Sequence, residues 1–323
     1  MMLGPHPLPD PVVFLAPMAG VSDRPFRMLC RELGASAAVS EMVTSDTRLW
    51  SSAKSRNRLD HHDEPGPRIV QLLGNDPDAL AAAARENVAR GADVIDLNLG
   101  CPAKKVCSRA AGSALLGDEA LIERLLTALT AAVPVPITLK MRLGLDRDHV
   151  NAVRIARVAE AAGIRMISVH GRTRACGYRG QADYDAIADV VEAVAIPVLA
   201  NGDITSADQA RAVIRRTGAA GVMIGRGAHG QPWLPGQIRA ALAGRPVTPT
   251  PQGAVLGRLI HAHVAAVHRQ YGPEQGLRIA RKHIGWYLER NRPELDRKPL
   301  LALTDASSQL EALAELFQLP SSP

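Results

Sequence analysis

One thiol in the sequence stands where it could take part in chemistry. Cys101 lies directly after an apolar run and is flanked by Gly100 and Pro102, a pattern typical of a loop. A thiol with an ordinary pKa of about 8.5 is mostly protonated at neutral pH, so Cys101 could act as a general acid. The alternative role, a thiolate nucleophile, needs a base partner, and the sequence identifies none.

Two other side chains, Lys140 and His170, also end apolar runs. A buried, unpaired lysine is costly, so Lys140 should face an anion or a polar ligand. The segments 201–203 and 225–227 are glycine-rich and could bind a phosphate through backbone N–H groups, with Arg226 adding a bidentate charge. These features favour a planar, phosphorylated cofactor. Flavin mononucleotide (FMN) fits that outline, and pyridoxal phosphate with Lys140 as the Schiff-base residue is the alternative.

Cations and a second thiol follow Cys101 closely. Lys104, Lys105 and Arg109 could hold the phosphates of a large anionic substrate, or they could lower the pKa of the thiol. Cys107 lies six positions after Cys101, and a disulfide or a metal pair between them is the less favoured interpretation.

Eight apolar, β-branched segments must position these side chains. They cover residues 12–20, 37–43, 68–74, 93–102, 137–144, 165–172, 196–203 and 220–227. Most gaps contain an Ala-rich segment with helical period, namely 77–90, 118–132, 149–162, 183–194 and 206–217. Repeated strand–helix units predict a parallel sheet of class α/β, and eight units predict a (β/α)8 TIM barrel. A doubly wound sheet is less favoured, because APMAG rather than GxGxxG follows the first strand. Barrel enzymes carry their chemistry at the carboxyl ends of the strands, where all these candidates fall.

The pattern changes after about residue 240, where three helices without intervening strands are predicted at 253–271, 275–291 and 300–318. We therefore expect a barrel domain over 1–243 and a small all-helical domain over 244–323. The helical part contains the most basic long segment of the chain. Its His261 and His263 are two positions apart and point to different helix faces, so no metal site is expected.

The overall composition is that of a globular protein. The chain has 323 residues, 46% of them hydrophobic and 22% charged, and a net charge of +6, which favours a polyanionic partner. Aromatic residues make up only 3%, so no stacking platform for single strands is evident. No membrane span and no secretory signal are visible, and the four cysteines form no disulfide pattern. These features predict a reduced, cytoplasmic protein.

Ten segments together resemble a known family. They are APMAGVSDRPFR at 16–27, EMV at 41–43, VQLLG at 70–74, DLNLGCPAKKV at 96–106, AGSALL at 111–116, TLKMRLG at 138–144, VHGRTR at 169–174, ANGDI at 200–204, MIGRGAHGQPW at 223–233 and RIARKHIGWYL at 278–288. In these segments the sequence resembles the tRNA-dihydrouridine synthases, and it is most similar to their bacterial B-type. One departure is visible: Cys107 stands where the B-type pattern has Asn.

The resemblance implies an FMN-binding barrel followed by a helical tRNA-binding domain. The implied activity is reduction of the C5–C6 bond of a D-loop uridine in tRNA, with NADPH or NADH as electron donor. Hydride would pass from flavin N5 to C6, and Cys101 would give a proton to C5. Asn98 would shape the site beneath the uracil.

The implied FMN contacts are Pro17, Met18, Ala19, Gln71, Lys140, His170, Asn201, Gly202, Asp203, Gly225 and Arg226. The expected tRNA contacts, besides Asn98, are Lys104, Lys105, Arg172, Arg174, Arg278, Arg281 and Lys282. Two alternatives belong to other classes: an FMN-dependent dehydrogenase of a free pyrimidine, of dihydroorotate type, and a non-catalytic RNA-binding protein on a barrel scaffold.

Overall fold

The computed structural model describes residues 1–108 and 110–320, with the side chains of Lys54 and Lys105 outside the description. Its strands are β1 Met2–Leu3, β2 His6–Pro7, β3 Val12–Leu15, β4 Ala37–Ala38, β5 Val43–Thr44, β6 Ile69–Leu73, β7 Val94–Leu99, β8 Ile137–Arg142, β9 Met166–His170, β10 Val198–Asn201 and β11 Gly221–Ile224. Its α-helices are α1 Arg24–Glu32, α2 Ala53–Leu59, α3 Pro77–Ala89, α4 Lys104–Cys107, α5 Glu119–Ala132, α6 Ala152–Ala161, α7 Asp185–Ala193, α8 Ala207–Thr217, α9 Leu234–Leu242, α10 Gly253–Tyr271, α11 Pro273–Asn291, α12 Lys298–Ala302 and α13 Ala306–Leu316.

Strands β3 to β11 form one parallel sheet that closes on itself. In the sheet β3 pairs with β11, and the order then runs back through β10, β9, β8, β7 and β6 to β5. The second strand of the barrel is split: β4 pairs with β3, whereas Val39 bridges to Ile69 and β5 pairs with β6. The row of strands therefore has no free side edge, and the predicted (β/α)8 TIM barrel is confirmed.

The strands are buried on both faces, which explains their continuous apolar sequence. All six residues of β8 and all six of β7 are buried, polar ones included. Helices packed outside the barrel supply the second layer, and a single apolar cluster joins strands and helices, with Leu72, Leu97 and Ile155 among its fully buried members. A polar side chain inside such a wall must find an internal partner or face a ligand.

Helix ends follow local chemistry. Asp76, Asp118 and Ser206 precede α3, α5 and α8, and each side-chain oxygen accepts a hydrogen bond from a backbone N–H of the first turn. The five predicted barrel helices are all present, within three residues of the predicted ends. Helix α1, which begins after its cap Asp23, was not predicted.

The last helices form a cluster of their own, here called the tail, covering residues 253–316. Helices α10 and α11 pack together around Leu256, Ile260, Ile284 and Leu288. The predicted single helix over 300–318 is wrong: the chain forms α12 and α13, because Asp305 caps a new helix by accepting from Ser308 N–H. The boundary after residue 243 stays a prediction. Among the described residues, no helix has both the length and the apolar character needed to cross a bilayer.

Candidate active site

The carboxyl ends of the barrel strands surround an open cleft. It consists of two adjoining cavities of about 220 Å³ and about 420 Å³. Both cavities are lined by Pro17, Met18, Lys140, His170, Tyr178 and Arg226. All eleven predicted FMN contacts line this barrel cleft, as do Cys101 and Asn98. The sequence-derived site is therefore one connected space.

A hydrogen-bonded row of buried side chains crosses the floor of the cleft. Asp96 accepts from Thr138 Oγ1 at 2.6 Å and from Gln71 Nε2 at 2.7 Å. Asn98 Nδ2 donates to Gln71 Oε1 at 2.7 Å, so the two amides hold each other in fixed orientation. Burial raises the pKa of Asp96, although both hydrogen bonds and the charge of Lys140 oppose that shift. The row fixes Gln71 and Asn98 as rigid polar groups beneath any ligand.

The same row positions the thiol. Asn98 Oδ1 accepts from the backbone N–H of Gly100 at 3.0 Å and of Cys101 at 2.9 Å, which shapes the loop after β7. Cys101 is half-buried, and burial raises the pKa of its thiol, with the charges of Arg142 and Lys140 acting in the opposite direction. The thiol is therefore protonated at neutral pH, as a proton donor must be.

Lys140 is the buried cation of the cleft. Its Nζ donates to Asn201 Oδ1 at 3.2 Å, and Asn201 Nδ2 donates to the carbonyl of Met223 at 2.7 Å. Burial, and secondarily the charge of Arg142, lowers the pKa of Lys140 to about 8. Burial together with Lys140, Arg142 and other cations also lowers the pKa of His170 to about 2, so its imidazole is neutral.

Glycines at one side of the cleft let neighbouring segments of the chain pack closely together. Gly202 has a φ of +128°, and a Cβ there would lie 2.7 Å from the Cβ of Ala182. At Gly227 a Cβ would lie 2.5 Å from the carbonyl oxygen of Ile204. Arg226 is half-exposed beside them, 3.6 Å from Asp203. This region, here called the phosphate corner, combines closely packed glycine backbone with a half-exposed guanidinium that also contacts Asp203. It is formed by segments 201–203 and 225–227, for which a phosphate site stays a prediction.

Arg172 does not have the expected position. It is 3% exposed, donates to Asp203 Oδ2 at 2.6 Å and to the carbonyl of Gly180 at 2.5 Å, and lies 3.3 Å from His170 Nε2. Its guanidinium donates hydrogen bonds to acceptors inside the protein, so the expectation that it contacts tRNA is wrong. It orients Asp203 and the loop that carries Tyr178.

The expected tRNA contacts of the tail are also divided. Arg278 is exposed, 4.0 Å from Glu274, and is free to meet a phosphate. Arg281 donates to the carbonyl of Leu303 at 2.7 Å, and Lys282 Nζ donates to the carbonyl of Gly20. Both are half-buried and tie the tail to itself and to the barrel, so neither has the position of a phosphate contact.

On the barrel, Lys104 is exposed and Arg174 is half-buried. The side chain of Lys105 and the whole of Arg109 lie outside the described residues.

Several lining residues were missed from the sequence. Arg142 stands at the end of β8 beside Lys140 and was visible as a strand-end cation, but it was not selected. The guanidinium groups of Arg226 and Arg142 lie 4.5 Å and 5.4 Å from the ring centroid of Tyr178, which is exposed on a loop. Arg290 reaches the cleft from α11. No local pattern indicated Tyr178 or Arg290, because their positions depend on packing between distant segments.

A parallel barrel whose open end holds a buried lysine, a protonated thiol and a phosphate corner has the layout of a barrel oxidoreductase built around a phosphorylated cofactor. The family model described as "Dihydrouridine synthase (Dus)" matches residues 14–319. The chain belongs to that family, and it is accordingly a flavin-dependent oxidoreductase.

Several relatives carry the printed name tRNA-dihydrouridine synthase B. The one from Pseudomonas aeruginosa is 55% identical over 88% of this chain and 86% of its own length. Those from Yersinia pestis and Escherichia coli are 52% and 49% identical, covering 94% and 98% of this chain and 95% and 99% of their own lengths.

A solved structure of histamine dehydrogenase from Rhizobium sp. 4-9 shares the fold. Its TM-score is 0.56 at 14% identity, over 82% of this chain and 50% of that chain. This chain thus spans half of that structure, and the likeness concerns the fold alone.

Proposed function

We propose that this chain is a tRNA-dihydrouridine synthase that uses FMN and NAD(P)H to reduce the C5–C6 bond of a D-loop uridine. One observation carries the proposal: the protonated thiol of Cys101 lines the same cleft as Lys140 and the phosphate corner. Relatives about half identical over nearly the whole chain, named for this activity, support it.

The cleft fits FMN on three counts. Lys140 is 9% exposed and uses one of its three N–H donors on Asn201, which leaves donors for a polar ring. Gly202 and Gly227 line the cavity at the phosphate corner, where backbone N–H groups could meet a phosphate and Arg226 adds charge. The two cavities together reach the size range of small-molecule sites. A pyridoxal phosphate enzyme, the alternative considered from the sequence, is excluded by the family.

When bound, FMN supplies the hydride equivalent that amino-acid side chains cannot provide. The protein groups then have separate tasks. Lys140 and Gln71 would donate hydrogen bonds to the ring and hold it, and Asn98 fixes the loop that carries the thiol. Cys101 gives its proton to C5 of the uracil. A raised thiol pKa keeps that proton available at neutral pH.

The substrate must be delivered from folded RNA. A uridine stacked inside tRNA cannot reach side chains inside the barrel cleft, so it must be displaced from its neighbours. Two exposed cations, Lys104 on the barrel and Arg278 on the tail, are available to contact phosphates. We assign residues 244–323 to tRNA binding and the protein to the cytoplasm, where its substrate is found.

Replacement of Cys101 by Ala tests the proposal. Dihydrouridine formation on tRNA lacking the modification should slow by about 10²- to 10⁴-fold, the usual value of a positioned acid, while flavin stays bound. Cys176→Ala is the matched control, because this half-buried cysteine does not line the barrel cleft. Full activity of the Cys101 variant would refute the role of the thiol. Turnover of free uracil without tRNA would favour the free-pyrimidine dehydrogenase, and a purified protein that cannot be loaded with FMN would favour the non-catalytic RNA-binding protein.

A further inference from the structure

Three buried polar side chains outside the barrel cleft face one another where the tail meets the barrel. Asp23 caps α1, His263 lies on α10 and His283 on α11, and they are 3%, 3% and 2% exposed. One ligand atom from each lies within 4.8 Å of the other two. On α10, His261 and His263 point to different faces and cannot share a ligand. The fold instead brings His263 next to His283 on the neighbouring helix.

Each of these three side chains has an atom without a partner. Asp23 Oδ1 accepts from Phe26 N–H at 3.1 Å, whereas its Oδ2 has no close hydrogen-bond partner, although the hydroxyl of Tyr271 interacts with this carboxylate. Nε2 of His263 and Nε2 of His283 are likewise buried and unpartnered. Buried polar atoms normally have partners, and leaving one without is unfavourable. One shared ligand would satisfy all three atoms.

The second nitrogen of His263 has a partner of its own. Its Nδ1 lies 3.0 Å from the hydroxyl of Tyr287, and the tautomer that donates from Nδ1 to this hydroxyl leaves a lone pair on Nε2. In that tautomer Nε2 is available as a metal ligand, and the hydrogen bond at Nδ1 fixes the orientation of the ring. Phe26 packs against both imidazoles, with ring centroids 5.6 Å and 5.4 Å away, and keeps bulk water out.

The charges around the three side chains are mixed. Two cations, Lys282 and Arg27, and one carboxylate, Glu41, interact electrostatically with Asp23. The hydroxyl of Tyr271 interacts with the same carboxylate. The two cations are engaged elsewhere, because Arg27 forms an ion pair with Glu64 and Lys282 donates to the carbonyl of Gly20.

We propose that Asp23, His263 and His283 form a binding site for a divalent ion of the zinc class, which joins the tail to the barrel. Two imidazole nitrogens and one carboxylate oxygen are a ligand set that zinc accepts, with a fourth position left for water or Tyr271. Bonds of about 2.1 Å place tetrahedral ligands about 3.4 Å apart, so ligand atoms now within 4.8 Å of one another need to close by up to about 1.4 Å.

The experiment uses the full-length protein, purified with and without a chelator. We expect about one zinc per chain after equilibration with zinc. Cobalt substitution should give the visible absorption of a tetrahedral ion, and zinc at 100 times its Kd should raise the Tm by about 4 °C. His283→Ala should lose all three signals, whereas His261→Ala, on α10 two positions before His263, should keep them.

Asp23→Asn separates the metal site from a hydrogen-bonded cluster. Asn keeps the helix cap, because its side-chain oxygen can still accept from Phe26 N–H, and its amide can donate to a histidine nitrogen. With a metal site, this variant loses zinc and the zinc-dependent rise in Tm. With a hydrogen-bonded or water-filled cluster, the wild type binds no zinc and the variant is equally or more stable, which overturns the proposal. All readouts are independent of flavin and tRNA, so failure here leaves the proposed function untouched.

Discussion

Replacing Lys140 by Met should make the flavin-free protein more stable while weakening its hold on flavin. Burial lowers the pKa of Lys140 from 10.5 to about 8. At 1.36 kcal/mol per pKa unit, the charged lysine costs the folded state about 3 kcal/mol. Met has similar length and no charge, but Asn201 Oδ1 then loses its donor, which costs about 1 kcal/mol. The free energy of unfolding at pH 7 should therefore rise by about 2 kcal/mol.

The lowered pKa of Lys140 also predicts how the free energy of unfolding depends on pH. The folded chain binds the Lys140 proton more weakly than the unfolded chain, so wild-type stability should increase between about pH 8 and 10.5. Below pH 8 the whole cost is present, and the advantage of the Met variant is largest. Above pH 8 that advantage should shrink.

The assay is urea unfolding of flavin-free protein from pH 7 to 10, together with FMN titration. Loss of a charged hydrogen bond should weaken FMN binding by roughly 10- to 100-fold. Lys298→Met, at an exposed position, is the matched control and should change neither quantity. A Met variant that is less stable at pH 7, or a stability difference that does not change with pH, would refute the burial argument. Unchanged FMN affinity would refute Lys140 as a cofactor contact.

Three further predictions concern RNA binding, the phosphate corner and one helix cap. Arg278→Ala should lower tRNA affinity and reduce the slope of log affinity against log salt by about 0.7–0.9. Lys282→Ala should leave that slope unchanged, because the Lys282 ammonium donates to the carbonyl of Gly20. Binding measured over a salt series checks both variants. Gly202→Ala should destabilise the fold by about 1–3 kcal/mol and weaken FMN binding, because the added Cβ would meet Ala182. Gly244 also has a positive φ but faces open space, so Gly244→Ala should affect FMN binding much less. FMN titration of both variants measures the difference. Ser206→Ala removes the cap of α8 and should cost about 1 kcal/mol in urea unfolding, and a Ser206→Asp variant that is no more stable than the Ala variant would contradict the capping role.

The sequence predicts what depends on local chemistry. The eight barrel segments were recognised because strands buried on both faces must be continuously apolar, and β7 and β8 show this directly. The barrel then places Cys101, Lys140 and Asn201 at one opening, which is where the structure has them.

What depends on distant contacts was not predicted. Residues 300–318 look like one helix because their apolar period is nearly continuous, and the cap at Asp305 decides otherwise. From the sequence, Arg172 is predicted to be an exposed cation. In the structure it donates hydrogen bonds to Asp203 and to two backbone carbonyls. His263 and His283 are twenty positions apart, and only the packing of α10 against α11 brings them together.

Helix α11 serves two neighbours at once. In the middle of the helix, Lys282 donates a hydrogen bond to the carbonyl of Gly20, beside the loop that borders the cleft. At the end of the helix, Arg290 forms part of the cleft wall. If RNA bound at the exposed Arg278 shifts this helix, the affinity for flavin changes with it. Thermodynamic reciprocity then requires that bound flavin changes the affinity for RNA by the same factor. In that case the flavin-loaded and flavin-free proteins would differ in how tightly they bind their transcript.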